Sequence, residues 1–149
     1  PVYVYHCTGS MKAWLDHYGY RWMLHRPNPD MFSKQGVCIS TAAGAGTKWT
    51  NKDMADSMFF WGMGKIYRYG TAVHAINYKS ISPEKMAEIE KATDKLAEKI
   101  RKNYGHVKPG LKTKTYFEVM RKLVKSGWNE VDVAYWKEHG WTEKARPWK

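Results

Sequence analysis

Apolar residues recur along the chain at two different spacings, one typical of helices and one typical of buried strands. Between residues 8 and 22 the spacing is helical, Thr8 or Ser10 can cap the predicted helix, and its apolar positions are Met11, Trp14, Leu15, Tyr18 and Trp22. Residues 36–41 form a compact apolar run, which predicts a strand buried on both faces. Residues 1–5, rich in Tyr and Val, predict a strand or extended segment.

A loop of small residues and a second helix follow the predicted buried strand. Residues 42–46 read Ala-Ala-Gly-Ala-Gly, and Thr50 and Asp53 have the spacing of a capping box. Gly62 and Gly64 are expected to end this helix.

A second strand-like stretch and a long helix come next. Residues 66–78 are rich in aromatic and β-branched side chains, which favours a strand. Ser82 as N-cap and Pro83 at the first helical position predict a helix that Gly105 ends. The alternation of helices and strands predicts an α/β layer architecture.

After residue 105 the pattern is helical only. Thr115 with Glu118 predicts one helix start and Asn129 with Asp132 predicts another. This tail carries four of the eight tryptophans, namely Trp128, Trp136, Trp141 and Trp148. Because two short helices cannot hide so much aromatic surface between them, the tail must pack on its own domain, on a second subunit or on a ligand.

The composition fits one ordinary globular domain of 149 residues with 43% apolar residues. The sequence has no run of about 18 uncharged apolar residues and no signal-peptide pattern, so a membrane span and secretion are disfavoured. Cys7 and Cys38 lie far apart without the spacing of a disulfide framework or a zinc module. We therefore expect a protein of the reducing cytoplasm without a metal site.

Basic residues outnumber acidic ones, 25 Lys plus Arg against 14 Asp plus Glu, for a net charge of +11. Such a balance raises the possibility of nucleic-acid binding. No segment holds a concentrated basic run, however, and the lysines of residues 83–103 alternate with acidic residues at salt-pair spacings. A solvated lysine-rich surface is therefore favoured over a nucleic-acid interface, and the same field suits an anionic small molecule.

The small-residue loop is the best candidate for a binding site. Ligands of open α/β sheets settle beyond the carboxyl ends of the strands, where short side chains let a ligand reach the main chain. The residues so placed are Thr41, Ala42, Ala43, Gly44, Ala45 and Gly46. A plain turn is the alternative. The loop is not a dinucleotide-binding fingerprint, since Trp49 stands where the third glycine would be.

Two stretches of the sequence resemble a known family. Residues 1–5 (PVYVY) and 9–16 (GSMKAWLD) resemble the pattern SPVYxxxxSxxxKAFLD of the flavodoxin-like NAD(P)H-dependent FMN reductases. Residues 37–46 (VCISTAAGAG), 52–57 (KDMADS) and 61–62 (WG) look like the next loop and helix of that family. The matches occur in the right order over most of residues 1–105.

The resemblance implies an α/β fold with a flavodoxin-like doubly wound parallel sheet, of which residues 1–105 would hold only the C-terminal portion. Residues 106–149 would be a helical, Trp-rich extension outside the family's common core. The implied activity is transfer of hydride or electrons from NAD(P)H through FMN to an acceptor, without a dedicated catalytic residue. The implied ring-bordering residues are Val2, Tyr3, Val4 and Tyr5. The implied contacts to the ring's polar edge or the ribityl chain are residues 41–46.

One departure from the family is large. Its members begin with a strand and a Ser- and Thr-rich loop that anchors the FMN phosphate at a helix N-terminus, and nothing in this sequence corresponds to that loop. Either the chain is a C-terminal fragment, or another polypeptide supplies the missing strands. We therefore expect a homo-oligomer or a complementing N-terminal segment, because two strands alone leave open sheet edges.

Other candidate groups favour structural roles. His6 and Cys7 are neighbours, which in an extended segment would point to opposite faces rather than form a nucleophile and base. Lys12 and Asp16 have the spacing of a surface ion pair. Two alternatives to the oxidoreductase remain: a basic, aromatic-rich module that binds nucleic acid or a protein partner without catalysis, and a fragment that only oligomerises.

Overall fold

The computed structural model describes residues 1–148, which form a mixed α/β structure. In chain order the elements are α1 (Gly9–His17), β1 (Gln35–Ala42), α2 (Thr47–Phe60), β2 (Lys65–Ala72), α3 (Pro83–Asn103), α4 (Leu111–Lys125) and α5 (Glu130–Glu138). Short 3-10 turns cover Gly19–Arg21, Pro29–Ser33 and Tyr78–Ser80. The described part of the chain thus contains five α-helices and a two-stranded parallel sheet packed against a helix.

The sheet and α2 form one βαβ unit. β1 and β2 pair in parallel from Gln35 opposite Lys65 to Ala42 opposite Ala72, and α2 packs on one face of the pair. Gly70 makes this packing possible, because a Cβ atom there would lie 2.5 Å from Cβ of Thr47. The predicted alternation of strand, small-residue loop, helix and strand is therefore confirmed.

Burial in β1 alternates instead of extending over both faces. Its residues facing α2 are buried, namely Gly36, Cys38, Ser40 and Ala42. On the other face Ile39 and Thr41 are exposed. The prediction of a strand buried on both faces is wrong, because no second layer covers this part of the sheet within residues 1–148.

Several helix boundaries differ from the predicted ones. α1 is capped by Thr8 as expected, with the Met11 N–H donating to Oγ1 at 3.1 Å, but it ends at His17 rather than continuing to Trp22. α2 begins at Thr47, so Thr50 lies inside the helix and does not cap it. α4 begins at Leu111, so Thr115 also lies inside its helix. The predicted capping boxes at Thr50 and Thr115 are therefore wrong.

Two other local signals hold in the structure, and a third holds only in part. The Ser82 Oγ accepts a hydrogen bond from the Lys85 N–H at 3.2 Å, and α3 starts there as predicted. The Asn129 Oδ1 accepts from the Asp132 N–H at 3.1 Å, at the start of α5. The strand-like stretch of residues 66–78 is a strand only as far as Ala72.

The tryptophan-rich tail packs on the chain's own N-terminal segment. The larger core joins Met23 and Phe32 to four tail residues, namely Phe117, Val124, Trp136 and Trp141. A second, smaller core lies between α1, α2 and the sheet and contains Leu15, Cys38, Met54, Ala55 and Trp61. Of the three predicted partners of the tail, the structure shows the chain itself.

α3 is the least buried of the helices. It spans 21 residues, and none of its side chains is fully buried. Hydrogen bonds tie its C-terminal end to the sheet: the Gln35 side chain donates to the Ile100 carbonyl at 3.1 Å, and the Tyr67 hydroxyl donates to the Lys99 carbonyl at 3.3 Å. None of the helices in residues 1–148, α3 included, combines the length and apolarity needed to cross a membrane.

Candidate functional site

The two segments predicted to border a ligand lie together at the carboxyl end of β1. The Val2 N–H donates to the Thr41 carbonyl at 3.0 Å, on the edge of β1 that does not pair with β2. The two segments are about 40 residues apart in the sequence. The structure therefore joins them into one surface, which we call the joined loops: residues 2–5 and 41–46.

Residues 3–6 form a tight turn rather than a strand. Tyr3 and His6 exchange two main-chain hydrogen bonds, of 3.3 and 3.1 Å. The two residues between them lie in the left-handed region, with φ of +48° at Val4 and +66° at Tyr5. This is the backbone of a primed hairpin turn. The prediction of a strand or extended segment at residues 1–5 is therefore wrong, since this conformation bends the chain back within four residues.

The left-handed turn is strained because neither residue is glycine. A β-branched side chain such as Val4 is rarely found at positive φ, and such positions cost about 1 to 3 kcal/mol each. Conformations of this kind cluster at ligand-binding sites. Val4 is also 90% exposed, so its side chain gains little from packing in return. The strain therefore favours a binding role for this turn.

Gly46 holds the joined loops in contact. Its φ is +101°, and a Cβ atom there would lie 2.7 Å from Cγ1 of Val2 and 3.1 Å from Cα of Tyr5. The buried Thr50 reinforces the contact, because its hydroxyl reaches the carbonyls of Gly46 at 3.2 Å and Tyr5 at 3.5 Å. No residue other than glycine fits at position 46 without moving the turn.

The predicted site residues differ in their accessibility. Seven are exposed, namely Tyr3, Val4, Tyr5, Thr41, Ala43, Gly44 and Ala45. Val2 and Gly46 are half-buried against each other, and Ala42 is buried under the sheet. The accessible part of the loop after β1 is therefore residues 43–45, flanked by the two tyrosines of the turn.

The loop after β1 offers main-chain donors and open space. Within residues 1–148, nothing accepts a hydrogen bond from the N–H groups of Gly44 or Ala45. A Cβ atom at Gly44 would meet no atom within 4 Å. These features fit the carbonyl- and nitrogen-bearing edge of a flat ring such as the isoalloxazine of FMN.

The N-terminus of α2 favours an anion at this end of the sheet, but the phosphate loop of the resembling family is not found among residues 1–148. α2 begins at the loop, and its N-cap Gly46 has no side chain to satisfy the first N–H groups of the helix. Helix N-termini favour anions, and Lys48 lies in the first turn. The Ser- and Thr-rich loop of the family has no counterpart among the described residues, so the chain's own groups fit the ring of FMN better than its phosphate.

A second group of polar residues meets beside the turn, which sequence reasoning missed. Oδ2 of Asp53 lies 3.0 Å from Nδ1 of His6 and accepts the Cys7 N–H at 3.2 Å. They line a groove of about 410 Å³ whose apolar wall is formed by Leu15, Trp22 and Phe60. Because Asp53 is 46 residues from Cys7, no local pattern could have predicted the contact.

The surroundings of Cys7 in this groove disfavour its thiolate form. Burial, followed by the negative charge of Asp53, raises the pKa of its thiol above the ordinary value. The structural role expected for Cys7 agrees with this environment. Lys12 and Asp16 form the expected ion pair on α1. No cluster of metal-ligating side chains occurs in the described part of the chain.

Comparisons with known proteins do not identify a family for this chain. The chain matches no protein-family model, no curated protein and no solved structure. What the structure establishes is a mixed α/β arrangement in which residues 2–5 and 41–46, the two segments predicted to border a ligand, meet at the end of a parallel strand.

Proposed function

We propose that the joined loops bind the ring of FMN, and that the chain serves a flavodoxin-like oxidoreductase that passes electrons from NAD(P)H to an acceptor. The observation that carries the proposal is the hydrogen bond from Val2 to Thr41, which brings together two distant segments resembling those that flank the flavin in that family. The strained turn and the free main-chain donors beside it support the same function.

Each part of the surface has a role in this proposal. The N–H groups of Gly44 and Ala45 donate to the polar edge of the ring, and Tyr3 and Tyr5 flank it with aromatic surface. When bound, FMN supplies the redox chemistry, because it takes up the hydride of NAD(P)H and returns two electrons to an acceptor. The chain itself orients the ring and needs no acid or base of its own.

Association belongs to the same proposal. β1 has one edge free of β2, and a further strand there would extend the sheet toward a doubly wound one and bring the Ser- and Thr-rich phosphate loop that residues 1–148 do not contain. The partner is a second copy of the chain or a complementing N-terminal segment. We place the protein in the reducing cytoplasm, which agrees with the free thiols of Cys7 and Cys38.

The proposal is tested by titrating the full chain with FMN and following quenching of flavin fluorescence. We expect saturable binding that Gly44→Leu weakens about tenfold or more, because the leucine side chain fills the open space that the ring would occupy. Gly9→Leu is the matched control, since Gly9 also has no atom within 4 Å of a built Cβ and lies on α1, outside the joined loops.

Two outcomes would overturn the flavin proposal. One is the absence of FMN binding to the folded chain, and the other is equal binding by the Gly44 and Gly9 variants. If the chain does not bind FMN but binds single-stranded oligonucleotides with an affinity that falls steeply as the salt concentration rises, the basic, aromatic-rich binding module is the better description.

A further inference from the structure

Four aromatic rings surround a cavity on the side of the molecule formed by α1 and the C-terminal end of α2. Trp14 and Tyr18 come from α1 and the residue after it, Tyr20 from the following 3-10 turn, and Trp61 from the end of α2. The cavity has a volume of about 350 Å³, and its remaining walls are Arg21, Asn28 and Met31. We call it the aromatic cavity. Its volume suits a ligand of one or two rings.

The rings form one rigid wall and one open wall. Trp61 is held by edge-to-face contacts, with its ring centroid 5.8 Å from that of Trp14 and 5.9 Å from that of Tyr18. It is only 5% exposed, whereas Trp14 remains 51% exposed. The exposed part of the Trp14 ring, which is held by its contacts with Trp61 and Tyr18, is stabilised when another flat ring covers it.

The charged side chains at and beside the cavity are arginines. The Arg21 guanidinium lies 4.9 Å from the centroid of the Tyr20 ring, donates to the Arg26 carbonyl at 3.3 Å and has no carboxylate within 4 Å among residues 1–148. Arg26 lies over the same ring at 5.5 Å and pairs with Asp132. No acidic side chain lines the cavity. A cation is therefore repelled and an anion attracted.

We propose that the aromatic cavity binds a planar aromatic carboxylate. The ring stacks against Trp14 and Tyr18, and the carboxylate pairs with Arg21. The cavity lies at the opposite end of α2 from the joined loops, and α2 has 14 residues, which corresponds to about 20 Å. This site is therefore independent of the proposed flavin site.

The probe is naphthoate, compared with the neutral naphthamide of nearly the same shape. Binding is followed by NMR of the indole N–H resonances in the unmodified chain, with the Trp61 resonance assigned from its loss in Trp61→Phe. We expect naphthoate to shift the Trp61 resonance and to bind about tenfold more tightly than naphthamide, because only the acid can pair with Arg21.

Variants separate the charge from the ring stacking. Arg21→Gln is expected to remove the preference for the acid while both probes still bind. Arg101→Gln is the matched control, because Arg101 is an exposed arginine near the C-terminal end of α3, outside the cavity lining. Gly44→Leu, which disrupts the proposed flavin site, is expected to leave naphthoate binding unchanged, so the two proposals can fail separately.

Three results would overturn the proposal: no shift of the Trp61 resonance with naphthoate, equal affinity for naphthoate and naphthamide, or tighter binding of phenyltrimethylammonium than of either. The naphthoate titration uses the unmodified chain, and a substitution is needed only to assign the Trp61 resonance. The proposal therefore remains testable if a variant does not fold. Loss of binding in Arg101→Gln equal to that in Arg21→Gln would also contradict it.

Discussion

At the scale of single residues, one buried carboxylate connects α5 with the segment around residue 25. Asp132, on α5, is only 2% exposed. Its Oδ2 lies 2.8 Å from Nδ1 of His25, and its Oδ1 lies 3.5 Å from Nε of Arg26. The neighbouring Trp136 indole donates to the His25 carbonyl at 2.6 Å. The segment around residue 25 is thus fastened to α5 by polar contacts as well as by the larger core.

We predict that Asp132→Ala lowers the free energy of unfolding by about 1 to 3 kcal/mol, because His25 and Arg26 lose the acceptor that compensates their partial burial. The measurement is urea denaturation followed by tryptophan fluorescence. Asp94→Ala is the control, since Asp94 is an exposed residue of α3 for which we expect no measurable change. Equal stability of the two variants would show that the contact to α5 contributes nothing.

Residue-scale features were predictable from the sequence where their causes are local. Thr8, Ser82 and Asn129 cap helices as their spacing indicates, because a cap contacts only the next three residues. The contact of His6 with Asp53 was not predictable, since it depends on how α2 packs. The same holds for the positive φ of Val4, which no local preference of valine favours.

At the scale of elements, the βαβ unit and α3 are held to different degrees. β1 and β2 share a register of eight residue pairs, and α2 buries Thr50, Asn51, Met54 and Ala55. α3 buries no residue and is tied to the sheet by hydrogen bonds near its C-terminal end. The helix is therefore expected to open locally before the sheet does.

Hydrogen exchange tests this order. We predict that the amides in the middle of α3 exchange at least about tenfold faster than those of β1 and α2, because local opening of α3 exposes little buried apolar surface. The amides near Ile100 are expected to be better protected than those near Met86, since only the former end is anchored by the sheet. Equal protection of α3 and α2 would contradict the prediction.

The element order was predictable and several element boundaries were not. Periodicity indicates the helices and both paired strands, because alternation and helical spacing reflect which face is buried. Residues 1–5 have strand-like composition, yet they turn, because only Val2 finds a main-chain partner on β1 and the chain bends away after it. α2 and α4 begin after the glycine N-caps Gly46 and Gly110. Both starts lie several residues before Thr50 and Thr115, the side chains that predicted them.

At the scale of the whole molecule, the larger core crosses the predicted boundary between residues 105 and 106. Phe32 packs edge-to-face with Phe117 at 5.7 Å and lies 5.5 Å from Trp148. The number of tail tryptophans indicated that the tail must pack on something, but composition cannot name the partner, since a ligand, a subunit and the chain itself all offer apolar surface. Long-range packing decides which surface the tail packs on, and local sequence patterns contain no information about it.

The other feature at this scale is the edge of β1 that does not pair with β2. Thr41, Ile39 and Val37 direct their main-chain groups to the same edge of β1, because these groups alternate sides along a strand. In residues 1–148 only the Thr41 carbonyl has a partner from outside the sheet on that edge, the Val2 N–H. Ile39 is 57% exposed on the open face beside it. An open edge next to apolar surface favours pairing with another chain.

We therefore predict that the chain associates in a concentration-dependent way, and that Ile39→Lys weakens the association. A lysine on this face places a charge in the contact and adds to the repulsion between chains that each carry a net charge of +11. The measurement is sedimentation equilibrium. Val131→Lys is the control, because Val131 is an equally exposed valine on α5, away from the sheet.

A monomer at every concentration would contradict association of this chain with itself, and would leave a complementing segment of another chain as the partner for β1. If Ile39→Lys and Val131→Lys weaken the association equally, either the contact lies elsewhere or the added charge alone causes the effect. If Ile39→Lys alone weakens the dimer and FMN strengthens it in the unmodified chain, the free edge of β1 and the joined loops belong to one assembly, because a ligand that binds the assembled form must favour assembly.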